Sequence, residues 1–351
     1  MAERDHVADT PPADMPPNTP LPRISVIIPA YNAAHTIDQC LTALEHQTIP
    51  REHYEIIVVD DGSTDETRDR VCARPGVRLL TQAHAGPAAA RNLGVAHARG
   101  PIVLFTDADC VPAENWIAHL TAPFHAPAIA GAKGAYLTDQ RALVARFVQL
   151  EYEDKYDRMA RERQIDFIDT YAAAYRRDIF LANGGFDTAF PTASVEDQEF
   201  SFRLARQGQR LVFVPEARVR HLGHADTLGA YWRKKFKIGY WKVLVHRLHP
   251  DKLVRDSHTP QILKAQIILV GLAGLFLVGG LLWPPSFLVG GAMVLLFLLS
   301  TLPFAIKAWT KDPAVALLSP GLLFVRALAL GTGFACGLAM ALWRSPTEGN
   351  R

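Results

Sequence analysis

The chain has only four cysteines in 351 residues (Cys40, Cys72, Cys110 and Cys336) and no Cys-x-x-Cys spacing. That scarcity argues against a disulfide framework or a thiolate zinc cage and for reduced thiols in a cytosolic setting. Charge imbalance is also lacking. Thirty-seven Lys and Arg against 35 Asp and Glu leave a formal net charge of +2, so the overall balance does not imply a nucleic-acid partner. The first 22 residues contain no apolar stretch of the kind that makes a signal peptide. They are polar and proline-rich, from Thr10-Pro11-Pro12 to Pro20-Leu21-Pro22, and are expected to stay disordered because they cannot bury enough apolar surface. A region starting at Arg23 is therefore expected on the cytosolic side. The length suits one sizeable domain plus an appendage.

What is present begins with two apolar runs that end in acids. Val103-Leu104-Phe105-Thr106 leads into Asp107-Ala108-Asp109, and Ile56-Ile57-Val58-Val59 leads into Asp60-Asp61-Gly62-Ser63-Thr64-Asp65. Both read as buried strands of a parallel sheet with carboxylates at their C-terminal ends, where open α/β sheets bind ligands. A capped turn is the plain alternative for each, since Asp favours turns and Ser63, Thr64 or Asp65 can cap a following helix. A third strand, Ile24 to Ile28, ends at Pro29-Ala30-Tyr31-Asn32. Tyr31, Asp61, Asp107 and Asp109 are thus expected on one sheet edge. An aromatic ring, a hydrogen-bond acceptor and a carboxylate pair for Mg²⁺ or Mn²⁺ are what a nucleoside diphosphate needs.

The motifs Val26-Ile27-Ile28-Pro29-Ala30-Tyr31-Asn32, Val58-Val59-Asp60-Asp61-Gly62-Ser63, Ala90-Arg91-Asn92 with Gly94, and Thr106-Asp107-Ala108-Asp109 resemble those of family 2 glycosyltransferases. The resemblance covers about residues 23 to 225. It implies an α/β fold of the GT-A type, Rossmann-like with a mostly parallel sheet. It also implies transfer of a sugar from a nucleotide donor with inversion at the anomeric carbon. On that reading Pro29, Tyr31, Asp61, Gly86, Arg91 and Asp107 bind the nucleotide sugar. Asp109 holds Mg²⁺ or Mn²⁺ with His221, and His224 is the reserve ligand. An inverting transfer needs a carboxylate base beside the acceptor hydroxyl. The resemblance places it at Ser194-Val195-Glu196-Asp197, with Asp197 as base and Glu196 orienting the acceptor or tuning its neighbour. The same four residues read equally as a helix start, with Ser194 as N-cap and two acids in the first turn. Tyr171 to Tyr175 match a strand beneath the acceptor pocket, followed by the loop Gly184-Gly185-Phe186-Asp187. The strand Leu211 to Val214 is expected to end at Pro215. The Gln-x-x-Arg-Trp signature of processive relatives is missing, which points to addition of one sugar or a few.

The C-terminal part differs in kind. Residues 262–283, 286–306 and 322–343 form three runs almost without charge, broken only by Lys264 and Arg326, and each is long enough to cross a bilayer as a helix. Lys307 and Lys311 make the 307–321 segment a cytoplasmic loop by the positive-inside rule, whereas Arg344 and Arg351 in the tail pull the other way. Arg326 is expected to snorkel or to touch a lipid phosphate. Residues 151 to 166 alternate acids and bases at helical spacing and read as a solvated helix face. Between 229 and 249, Trp232, Phe236, Ile238 and Val243 interleave with Arg233, Lys234, Lys235, Lys237 and Lys242. Just before a span, that pattern reads as an interfacial helix on anionic lipid rather than a nucleic-acid surface.

The organisation expected is a disordered 1–22, a catalytic domain over 23–228, an interfacial segment over 229–258, three spans and a tail at 344–351. The function expected is metal-dependent transfer of a sugar, from UDP in the first instance, to a lipid-linked or membrane acceptor in envelope polysaccharide or glycolipid synthesis. The protein would be multi-pass in the cell (inner) membrane with its catalytic domain in the cytoplasm. The alternatives are a polyprenyl-phosphate glycosyl transferase, which needs no strong base, and a non-catalytic membrane assembly subunit, against which the intact acids weigh.

Overall fold

A computed structural model describes residues 23–190, 195–253, 256, 257 and 259–343. The N-terminal segment 1–22, the tail 344–351 and Ser194 lie outside the described residues. The strands are β1 (Ile24–Ala30), β2 (Tyr54–Asp60), β3 (Val77–Thr81), β4 (Ile102–Phe105), β5 (Cys110–Pro112), β6 (Ile129–Leu137), β7 (Ala173–Arg176) and β8 (Arg210–His221). The α-helices are α1 (Ile37–Glu45), α2 (Thr67–Cys72), α3 (Pro87–His97), α4 (Trp116–Thr121), α5 (Leu143–Met159), α6 (Arg177–Ala182), α7 (Glu196–Arg206), α8 (Leu228–Leu248), α9 (Gln261–Gly279), α10 (Ser286–Trp309) and α11 (Pro313–Trp343). The chain divides into two compact units, residues 1–139 with 159–223, and residues 140–158 with 224–351.

The first unit is built on one eight-stranded sheet in the order β3-β2-β1-β4-β7-β6-β8-β5. β1, β2, β3 and β4 are parallel; β7 and β5 run against their neighbours, and β6 pairs with β8 in parallel. The β-branched strands β1, β2 and β4 are buried almost throughout, as both-face coverage of a parallel sheet demands. Helix α3 lies close on this sheet because Gly94 carries no side chain: a Cβ there would stand 2.4 Å from Ile27 Cγ2. The same core, which also holds Ile27 and Val59, includes the rings of Phe105, Tyr175, Phe180, Phe186 and Phe200, whose contacting centroids lie 4.9 to 6.1 Å apart. β8 does not stop at Pro215. It continues to His221 after a register shift beside β6, because a bulge there absorbs the missing proline donor.

The second unit holds α5, α8 and the three apolar helices α9, α10 and α11, each long and apolar enough to cross a membrane. The bounds differ from the sequence reading at several places: α9 ends at Gly279, α10 runs to Trp309, and the largest difference is at α11. α11 begins at Pro313, so the connection after α10 is only residues 310–312, not 307–321. Pro313 stands at the first helical position, where its missing N–H costs nothing. Lys307 pairs with Asp154 (2.9 Å) and Asp157 (2.6 Å), and Lys311 with Glu153. Helices α8 and α11 touch through glycines. A Cβ at Gly239 would stand 2.3 Å from Leu330 O, at Gly333 2.2 Å from Phe236 O, and at Gly337 2.4 Å from Tyr240 O. Small residues at matching turns bring the two backbones together.

Two sequence expectations fail in this unit for one reason. Glu151 is not on a solvated face, and Arg326 neither snorkels nor lies open to lipid. Both are buried, and Arg326 donates to Glu151 (3.0 Å) and to Gln266 (2.8 Å). A charge that can reach an opposite charge inside the helix bundle has no need of the interface. The charged run 151–166 is also helical only to Met159.

Gly94→Ala is predicted to destabilise the protein by about 1–3 kcal/mol through overpacking against Ile27 and Val59. Thermal unfolding of the full chain in detergent would measure it, and an unchanged midpoint would refute the close α3–β1 packing.

Candidate active site

The parallel strands β1, β2 and β4 deliver their ends to one edge, and the turns after them are tied together by side chains. Asn32, at φ +50°, accepts from Thr64 N (2.8 Å), and its own N–H donates to Ser63 Oγ (2.9 Å). Asp65 accepts from Ala34 N (3.0 Å) and Thr67 N (3.0 Å), which ties the turn after β2 to the one after β1, but the N-cap of α2 is Glu66, so none of the three candidate caps holds that position. Asp60 accepts from Ser63 N and Arg68 and stays buried. The adjacent acids thus divide: Asp60 shapes its turn and Asp61 faces β3 and the loop before α3.

Asp61 is held from several directions. It accepts from Gln82 Nε2 (2.6 Å), Ala85 N (2.8 Å) and Gly86 N (2.9 Å), with His84 Nδ1 at 3.0 Å. Gly86 adopts φ +91°, a conformation that only glycine takes cheaply, and this turns its amide toward Asp61 at the start of α3. The Tyr31 ring is 48 % exposed and its centroid lies 4.2 Å from that of His84, a platform on which a planar base can stack. Pro29 sits within β1 beside Val59, one residue before the strand end. Gln82 and His84 were not singled out in the sequence; a polar pair just past a short strand gives no pattern beyond an ordinary turn.

Arg91 is the junction of the site. Its buried guanidinium donates to Asp107 Oδ1 (2.7 Å) and to Glu196 Oε1 (3.1 Å). Neighbouring Asn92 holds the 184–187 loop, donating to Phe186 O (2.8 Å) and accepting from Phe186 N (2.9 Å). The Ala90-Arg91-Asn92 motif therefore binds the end of β4, the start of α7 and a loop in a single helical turn.

Asp109, Cys110 and His221 bring one donor atom each to within 4.8 Å of one another, and His221 Nε2 lies 3.2 Å from Asp109 Oδ2. His224, the reserve, belongs to the other unit and stacks on Tyr152 instead. The pairing of β5 with β8, which sets Cys110 opposite His221, creates this proximity. A carboxylate with an imidazole suits a divalent ion such as Mn²⁺. Burial drives the Cys110 thiol well above its ordinary pKa and keeps it a weak ligand. The donor set therefore fits a cation whose other positions are filled by water or phosphate oxygens.

Asp197 stands in the first turn of α7, behind Val195 as N-cap. Its Oδ1 accepts from Gln198 N (2.8 Å) and its Oδ2 from Thr170 N (3.3 Å). Burial, and then the like charge of Glu196, push its carboxyl up to about 7. A second group went unread in the sequence. Lys133, buried in β6, pairs with Asp169 and donates to Tyr171 Oη (3.2 Å); Tyr171 stacks on Tyr136, which lies 4.7 Å from His221. A lone lysine in the small apolar run Ile129–Leu137 was the available signal.

Residues 25–182 match the model of the glycosyl transferase family 2. Among curated relatives, the pre-mycofactocin glycosyltransferase of Mycobacterium tuberculosis is 31 % identical over 249 residues, 68 % of this chain and 50 % of that one. The probable glycosyltransferase YdaM of Bacillus subtilis is 29 % identical over 231 residues, covering 61 % and 54 %. The glycosyltransferase AglE of Haloferax volcanii is 41 % identical over 102 residues, 28 % of this chain and 34 % of that one. The chain thus spans between about a third and a half of the length of these relatives. Among solved structures, a mannosyltransferase of Pyrobaculum calidifontis in complex with GDP-Man and Mn²⁺ superposes with a TM-score of 0.59 at 24 % identity, over 91 % of this chain and 88 % of that one. Residues 25–182 are thus a domain of the glycosyl transferase family 2 type, on a sheet of the GT-A type.

Proposed function

We propose that this protein transfers a sugar from a nucleotide-diphosphate donor, UDP-linked in the first instance, to a lipid-linked or membrane acceptor with inversion at the anomeric carbon. The observation that carries the reading is the double pairing of Arg91 with Asp107 and Glu196. One guanidinium holds the donor-side carboxylate at the end of β4 and the acid beside Asp197, so the two halves of a displacement reaction are kept in fixed relation.

In this reading the base stacks on Tyr31, and Asp61, preorganised by Gln82 and the Ala85 and Gly86 amides, accepts from the nucleoside. Pro29 lines the same edge. Asp109 and His221 would hold Mg²⁺ or Mn²⁺, and such an ion would supply charge neutralisation for a diphosphate leaving group. Asp197 takes the proton of the acceptor hydroxyl, and its raised pKa matches a general base working near neutrality. The three apolar helices support a membrane setting, which we read as the cell membrane with the sheet unit in the cytoplasm. The domain limits 23–228, 229–258 and 262–343 belong to the same proposal.

Asp109→Asn is predicted to abolish the metal-dependent part of UDP-sugar affinity with the fold intact. Calorimetry with and without Mn²⁺ would show it, and equal metal dependence in variant and wild type would remove Asp109 from the metal site. Asp197→Asn is predicted to bind donor normally and lose about 10²–10⁴-fold in turnover. A variant that keeps more than about a third of wild-type turnover, far outside that range, favours a lipid-phosphate acceptor, which needs no base.

The pH dependence follows from the same group. The base works ionised, so activity should fall as pH drops through about 7 rather than near the ordinary carboxylate value. Glu196→Gln removes a like charge and should move this acid limb to lower pH. A limb that stays in place would clear Asp197 of that titration.

A further inference from the structure

The segment that leads into β7 is laid along the first turn of α7. Ile168 N donates to Ser201 Oγ (3.0 Å) and Thr170 N to Asp197 Oδ2 (3.3 Å), and these two acceptors stand one helical turn apart. Asp169 between them is in extended backbone, at φ −76° and ψ 139°. The same segment packs on β6 through two glycines near Lys133. A Cβ at Gly131 would stand 2.9 Å from Ile168 Cδ1, and one at Gly134 3.0 Å from Ala172 Cβ.

Lys133 is the charged member of that contact. It is fully buried, pairs with Asp169 and donates to Tyr171 Oη (3.2 Å), and its Nζ lies 5.2 Å from the Phe167 ring centroid. A buried ion pair contributes little net stability compared with apolar side chains of the same volume. What it supplies is direction, because an ammonium bound to one carboxylate fixes the backbone that carries that carboxylate. Here the next residue along that backbone presents its amide to Asp197. The Asp197 carboxylate is thereby held at both oxygens, by Gln198 N on Oδ1 (2.8 Å) from its own helix and by Thr170 N on Oδ2. With the first bond alone it would turn about its terminal torsion, which is broad for aspartate.

We propose that Lys133, through its pair with Asp169, is a positioning residue for Asp197: it holds the 168–170 segment so that the Thr170 amide keeps the carboxylate in the orientation that meets the acceptor hydroxyl. The inference deepens the reading of Asp197 as the base and rests on it. Misplacing a reacting group by about 1 Å can lower a rate on the order of 10²-fold. The donor side is held by other contacts, those of Gln82 and of the Ala85 and Gly86 amides with Asp61, so Lys133 acts on turnover and not on donor binding. The charged and titratable groups that act on Asp197 are Glu196 on its own helix, Arg91 from α3, Lys133 from β6 and Tyr175 from β7, with Asp169 paired to Lys133. Lys133 offsets part of what burial and Glu196 do to the Asp197 carboxyl. Breaking the pair from its two ends therefore leaves opposite charges near Asp197, which separates this role from packing alone.

The test uses the full chain in detergent and compares Lys133→Gln with Asp169→Asn. The Asp197 carboxyl is titrated directly by NMR of carboxyl-labelled aspartate, its signal identified by its loss in Asp197→Asn. Wild type should titrate at about 7. Lys133→Gln removes a cation and leaves an anion, so its titration should move to higher pH; Asp169→Asn does the reverse, so its titration should move to lower pH. Turnover is read as nucleotide release from UDP-glucose or GDP-mannose with membrane extract and saturating Mn²⁺, on the alkaline plateau where the base is ionised. Both variants should lose about tenfold or more in kcat with the donor KM unchanged. A titration that stays in place or moves the wrong way in either folded variant overturns the assignment, as does wild-type kcat in both. Failure of both to fold makes the pair a folding element only and overturns it too. Turnover retained by Asp197→Asn strikes the base itself, a failure that the titrations of the two pair variants do not produce.

Discussion

The buried guanidinium of Arg91 is the interaction on which the sheet edge depends. Parallel strands converge their carboxyl ends, and this sheet ends two of them in acids. Carboxylates gathered at an edge repel one another and lose hydration as the edge closes. Arg91 answers both problems at once by pairing with Asp107 and Glu196. Asp61 is satisfied differently, by two backbone amides and the Gln82 side chain, which leaves it a rigid acceptor rather than half of an ion pair. Asp109 carries neither device and meets His221, a neighbour that can share a cation with it. Three acids on one edge thus have three electrostatic solutions, and the solutions separate their roles.

Asp197 gains its character from the same economy of charge. Helix starts favour acids, yet this one is enclosed and has Glu196 beside it, so its proton is held more tightly than usual. Because Arg91 is already committed to Glu196 and Asp107, it lowers the Asp197 proton affinity only in part. The helix start and the proposed base are therefore one structural feature, since both readings of these residues from the sequence fall on the same first turn of α7.

The helical unit follows a different rule. Its acids are few, and Glu151 gathers Lys235, Arg326 and Tyr231 around a single carboxylate. Glycines at 239, 333 and 337 let α8 and α11 approach until backbones touch. A helix that reads by composition as a uniform basic aromatic surface is divided by this contact into an inward stripe and an outward one. On the inward stripe Lys235 pairs with Glu151 and Lys242 lies beside Thr259.

Much of this was legible in the chain itself. Apolar β-branched runs ending in Asp61 and Asp107 announced a parallel sheet with a ligand edge, because strand burial and the turn preference of aspartate are local properties. The three apolar helices were equally plain, because length and lack of charge are enough to mark them. Tertiary structure decided the pairings. That Arg91 reaches across 105 positions to Glu196, that β5 brings Cys110 opposite His221, and that Glu151 finds Arg326 are all consequences of topology. The solvated face expected around Glu151 and the snorkelling expected of Arg326 failed for the same reason. A charged side chain takes the nearest opposite charge in space, and periodicity along the chain records which way a residue faces but not what stands opposite it.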